Sequence, residues 1–161
     1  MQPSPQLTLA DSLSGIWAAL HARADLRISE NEVHYLRSIA LALDDDIVSC
    51  LLLRKLRLAA IVPAAEISAA TVMMNSLVEF THDGGARQRR RLVHPSPDQP
   101  ADSLTVGSLL GAGLIGLSTG QAILWPNAKS GFGRLRVDRV ESRPMAPARG
   151  ASLGGGLQFR L

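Results

Sequence analysis

Apolar positions fall into helical rhythm over the first third of the chain. Leu13, Ile16, Trp17 and Leu20 recur at i, i+3, i+4 and i+7, which predicts an amphipathic helix from Asp11 to about Arg23. Ser29-Glu30-Asn31-Glu32 has the form of a capping box, with the Ser29 hydroxyl bonding the amide of residue 32 while Glu32 reaches back to the amide of residue 29. A second helix should start there, and Val33, Leu36, Ala40 and Leu43 give it a seam able to meet another helix. Asp44-Asp45-Asp46 interrupts the pattern. A third helix then follows through Ile47, Val48, Leu51, Leu52, Leu56 and Ala59, with Arg54, Lys55 and Arg57 on its wetter side and Pro63 closing it. The last two helices predict a hairpin whose tip is the aspartate run.

After a linker over Ile67 to Ala70 the period changes to two. Val72, Met74, Val78 and Phe80 can line one face of a strand, Asp83-Gly84-Gly85 is a hairpin turn signal, and Arg87 to His94 is the returning strand. Alternation puts Arg87, Arg89 and Arg91 on one face, with Gln88, Arg90, Leu92 and His94 on the other. Pro95 to Pro100 can only be a loop. Leu104 and Val106 flank a threonine as in a strand with one buried face, and Leu109 to Leu117 predicts a short helix capped by Ser108 and ended by Gly116. Ser118-Thr119-Gly120 turns the chain into a strand from Gln121 to Trp125, and a last strand runs from Phe132 to Val140 with Leu135, Val137 and Phe132 inward and Arg134, Arg136 and Asp138 outward. Residues 143–161 have the composition of a disordered tail.

Composition changes this picture little. A chain of 161 residues with 46% apolar content can bury a core, and a net charge of +3 is weak evidence for nucleic-acid binding. The single cysteine, Cys50, excludes an internal disulfide, fits a reducing cytoplasmic setting, and sits in an apolar pattern that suits a buried inert thiol. The apolar run 109–117 is too short to cross a bilayer, so no membrane is expected as a partner. His94 has no metal ligand at useful spacing, and nothing in the chain suggests a nucleophile, metal site or cofactor. The aspartate run has two readings: capping and dipole stabilisation at the start of the third helix, or a carboxylate cluster sharing Mg²⁺ with a partner.

Three ordered motifs then carry a resemblance over roughly 28–140. Val72-Met-Met-Asn-Ser-Leu-Val-Glu-Phe80 is like V-T-M-N-S-x-V-x-F; Arg91-Leu-Val-His-Pro95 is like R-x-L-V-Y-P; and Leu104 to Leu117 with Gly120 is like L-S-V-x-S-P-L-G-A-A-L-L-G-L-x-x-G-D. With these the chain resembles the Gre-type transcription elongation factors, in particular the GreA/GreB C-terminal domain, and within the family the short-armed branch known as regulator of nucleoside diphosphate kinase. The resemblance implies an α+β chain. Residues 1–27 would be an extension with one amphipathic helix, 28–66 a short helical hairpin (an antiparallel coiled coil), 70–142 an FKBP-like domain with a twisted antiparallel sheet and one short helix, and 143–161 the tail. It further implies a non-enzymatic regulator that docks at the rim of the RNA polymerase secondary channel through Gly107, Ser108, Leu109 and Leu110. Each arm of about 14 residues extends only about 20 Å. Asp44, Asp45 and Asp46 would then fall short of the polymerase metal, so competition with longer Gre factors is expected rather than stimulated cleavage. Gly107 stands where the family commonly has an acidic residue, Leu109 replaces proline, and Gln121 replaces aspartate. The rival expectation is a diverged interaction module that uses its N-terminal helix to dimerise or hold another protein. Neither reading involves sequence-specific nucleic-acid recognition, and a shared fold with prolyl isomerases does not carry their activity.

Overall fold

The structure is a computed structural model that describes residues 25–127 and 131–141, together with Ser12, Gly15 and Ile16. Of the first predicted helix only those three residues are described; all are helical, and Ile16 is half exposed. The remainder of that helix and the tail lie outside the described residues.

Two helices and a mixed sheet share one core. Strand β1 (Arg27–Ser29) leads into α1 (Glu30–Ala42); α2 (Asp46–Leu58) follows after three residues and leads into β2 (Ala60–Val62). Neither β1 nor β2 was legible in the periodicity. They pair in parallel, Arg27 opposite Ala60 and Ser29 opposite Val62, and so close the base of the helix pair. Ser29 caps α1, but through the amide of Asn31 at 3.2 Å. Asp45 caps α2, its Oδ1 accepting from the amides of Ile47 at 3.0 Å and Val48 at 3.2 Å.

A short 3₁₀ turn (Ala64–Glu66) precedes the larger sheet, whose order is β5–β4–β3–β7–β6. Its strands are β3 (Leu77–His82), β4 (Gln88–Val93), β5 (Ser103–Thr105), β6 (Ala122–Pro126) and β7 (Phe132–Glu141). All pairings are antiparallel except β4 with β5. The alternation from Val72 predicted a strand five residues too early. Asn75 adopts φ 70°, and Ser76 accepts the Met73 amide on its Oγ at 3.0 Å, so this stretch is a turn feeding β3. The hairpin after β3 turns at Asp83 and Gly84, both with positive φ, as a tight twisted hairpin requires.

Helix α3 (Leu109–Leu114) lies on the inner face of the sheet. Its glycines allow the approach: a Cβ on Gly111 would collide with the Thr105 carbonyl, and one on Gly113 would meet Leu135 and Trp125. Val78, Phe80, Leu92, Trp125, Leu135 and Val137 from the sheet join Leu36, Leu51 and Leu52 from the helix pair in one buried cluster. The helix pair is therefore packed along the sheet domain rather than standing clear of it. Among the described residues no helix is long and apolar enough to cross a membrane.

Candidate interaction site

The loop before α3 is held from several sides. The Thr105 hydroxyl accepts from the Gly107 amide at 3.0 Å, and Ser108 Oγ donates to the Thr105 carbonyl at 2.6 Å while accepting from the Gly111 amide at 3.0 Å. Trp125 Nε1 donates to the Leu109 carbonyl at 2.7 Å from a fully buried ring. Gly107, Ser108, Leu109 and Leu110 are half-buried, in a loop that these four hydrogen bonds restrict.

The aspartate tip comes to this loop. Leu43 ends α1 immediately before Asp44, and a Cβ placed on Gly107 would stand 2.8 Å from Leu43 Cδ2 and 3.1 Å from Pro95 Cγ. Leucine and proline thus fill the space a side chain at 107 would need. Asp44, Asp45 and Asp46 are all exposed beside that contact. An apolar cleft of about 320 Å³ opens next to it, between Tyr35, Ile39 and Leu43 on one side and His94 and Pro95 on the other. Two residue sets far apart in sequence therefore form one surface, acidic at one end and apolar at the other. Among the described residues no cluster of three or more His, Cys, Asp or Glu could hold a metal ion.

Two ionisable groups, Lys55 buried and Glu32 half-buried, tie the helix pair to the sheet domain. Lys55 was expected on the wetter side of α2; it is wholly buried, its Nζ donating to the carbonyls of Ala112 at 3.0 Å and Gly113 at 2.5 Å and standing 5.4 Å from the centre of the Trp125 ring. Those carbonyls are among the unpaired acceptors at the C-terminal end of α3, which a lysine satisfies well. Burial drives the Lys55 pKa well below the ordinary lysine range. The signal for this was its spacing, since Val48, Leu51, Leu52 and Lys55 follow one helical stripe. Glu32 likewise does not return to its own helix start. Its carboxylate accepts the Met74 amide, with Oε2 at 3.1 Å, and burial raises its pKa, only partly opposed by that hydrogen bond.

The basic strand face lies elsewhere. Arg87, Arg89 and Arg91 stand on the side of the sheet away from α3, where Arg87 is 3.5 Å from Asp138, Arg89 is 3.1 Å from Glu141, and Arg91 donates to the Asn75 carbonyl at 2.6 Å. Exposed pairs of this kind add little stability. Cys50 is half-buried and free.

No family model matches the chain, and no curated protein matches it either. Among solved structures it is similar to the prokaryotic transcription elongation factor GreA/GreB from Nitrosomonas europaea, at 26% identity and a TM-score of 0.59, over 74% of this chain and 100% of that one. Two structures of GreA factor homolog 1 (Gfh1) are also similar: that from Thermus thermophilus at 15% identity and TM-score 0.36, that from Thermus aquaticus at 15% and 0.39, each over 73% of this chain and 99% of the other. At those scores the whole molecules correspond only loosely.

Proposed function

We propose that this chain, Gre-type in its structure, is a transcription regulator that binds RNA polymerase near the secondary channel and competes there with longer Gre factors, without enzymatic activity and without stimulating transcript cleavage. The observation that carries this reading is the likeness to a GreA/GreB elongation factor along the whole of that chain, with an acid-tipped helix pair and a serine-capped helix as its interaction surface. The helix pair within 28–66 supplies the tip, and the FKBP-like part, 70–142, supplies the docking loop Gly107 to Leu110. With helices of 13 residues each, about 20 Å long, and a tip folded against that loop, the aspartates act at the channel mouth. Contact there is electrostatic, and no metal is held between tip and polymerase.

Gly107 fits this arrangement. An acidic side chain there would displace Leu43 and Pro95, so glycine at 107 and leucine at 43 act together, and negative charge reaches the docking surface from Asp44 to Asp46 instead.

The test is a pull-down of bacterial core RNA polymerase by the full-length protein, with a long-armed Gre factor as competitor. We expect retention of polymerase, displacement by the competitor, and loss of retention of at least about tenfold, or 1.4 kcal/mol, when Leu109→Glu and Leu110→Glu are combined. Retention that survives both the competitor and the double substitution would remove the docking assignment. Deleting residues 1–24 should leave retention unchanged; its loss would favour the N-terminal helix as the binding element.

A further inference from the structure

Among the described residues, the face of the larger sheet away from α3 carries many charges, with one sign in excess. Register puts Arg89 and Arg91 of β4 on the same side as Arg134, Arg136 and Arg139 of β7, and Arg87 joins them just before β4. Among the described residues the acids on that side are Glu79, Asp138 and Glu141, fewer than the arginines by three. They are shared rather than matched one to one. Glu141 is 3.1 Å from both Arg89 and Arg139, and Asp138, set in a β-bulge and accepting from Thr81 at 2.6 Å, is 3.5 Å from both Arg87 and Arg136. Each shared carboxylate steadies two guanidinium forks while neutralising one charge. Alternate residues on a strand stand about 6.8 Å apart, and β4 and β7, separated by β3, lie about 10 Å from each other. The result is two parallel basic stripes held in place by the acids between them.

We infer that this face binds the phosphate backbone of duplex DNA without reading its sequence. Every cation among its described residues is an arginine, whose planar fork takes a phosphate through two N–H groups. Protein interfaces rely on buried aromatic or aliphatic anchors, but the only large hydrophobic residue well exposed among the described residues of this face is Leu124. Interfaces with DNA are more polar and far more positive. Single strands gain their affinity by stacking bases on aromatic side chains, and the aromatic residue that register puts on this side among the described residues, Phe132, is partly buried and packed against the core cluster instead of standing free. The face lies across the sheet from the loop proposed to meet polymerase, so the two bindings stand or fall separately.

Fluorescence anisotropy with a labelled duplex of about 20 base pairs tests this on the full-length protein. Three uncompensated charges predict that affinity falls about fortyfold between about 50 and 200 mM salt. Combining Arg134→Glu with Arg136→Glu should weaken binding by at least about tenfold and flatten the salt dependence, with the thermal midpoint recorded as a check on folding. If that pair unfolds the sheet, Arg87→Gln with Arg89→Gln takes its place, and loss of about one order of magnitude is again expected. The same charge change on the helix pair, Arg37→Glu with Arg57→Glu, should leave affinity within about twofold. The inference is overturned by absence of binding at the lower salt, by a helix-pair variant that falls as far as the sheet variant, by single-stranded DNA binding as tightly as duplex, or by poly-glutamate competing as well as DNA at equal charge.

Discussion

Glu32 does two things that oppose each other. It supplies the Met74 amide with an acceptor, and its own charge is poorly solvated where it sits, which is why its pKa rises. A carboxyl with a raised folded pKa binds protons more readily folded than unfolded, so its contribution is fully present below the unfolded pKa and is lost as pH rises through the folded value. Glu32→Gln keeps an acceptor and removes the charge. Its thermal midpoint should therefore lack the decline that the parent shows on leaving the acid range, whereas Glu32→Ala should cost about 1 to 3 kcal/mol by leaving the amide without its acceptor. Calorimetry from about pH 4 to pH 8 checks both. The capping-box pattern correctly marked a helix start at Ser29, but local spacing says nothing about a backbone amide 42 residues further on that competes for the same carboxylate. Asn75 is a similar case: the apolar alternation around it favours a strand, and only its left-handed backbone and the Ser76 hydroxyl make a turn of it.

At the scale of elements, Lys55 joins α2 to the end of α3. The two carbonyls it bonds need two N–H groups, and a neutral amine has two, so deprotonation leaves those bonds intact while relieving the cost of a buried charge. A base with a depressed folded pKa binds fewer protons folded than unfolded, so stability rises with pH between the folded value and the ordinary lysine range. Measured against Lys55→Met, which has similar bulk and no charge, the parent should gain relative stability as pH rises from neutral through that range. A constant difference between the two proteins would show that Lys55 is not a buried titrating group. Helices α1, α2 and α3, the hairpin turn after β3, the serine cap and the glycine stop of α3 were all legible from period and punctuation. Strands β1 and β2 were not, because three residues are too few to show alternation and their pairing depends on the helices between them.

For the molecule as a whole, the contact of Leu43 with Gly107 decides where the acidic tip lies. Gly107→Asp should therefore destabilise the protein by about 1 to 3 kcal/mol through overpacking. Leu43→Ala in the same chain should recover at least about 0.5 kcal/mol of that, as a double-mutant cycle by chemical denaturation would reveal. Additive effects would mean that the two residues do not meet. The motifs around Asn75 and Ser108 pointed to the overall architecture, yet the folding of the helix pair onto the sheet domain could not be inferred from them, since a free arm and a packed arm share the same heptad-like seam. The small parallel sheet of β1 and β2 has one more consequence. The chain enters and leaves the helix pair at adjacent residues, Arg27 opposite Ala60, so the arm is fastened at its root like a detachable cassette. Adding matched turns to both helices would lengthen the arm without disturbing a single strand of the larger sheet, and the reach of such a protein is thus a property that can change independently of the body that carries it.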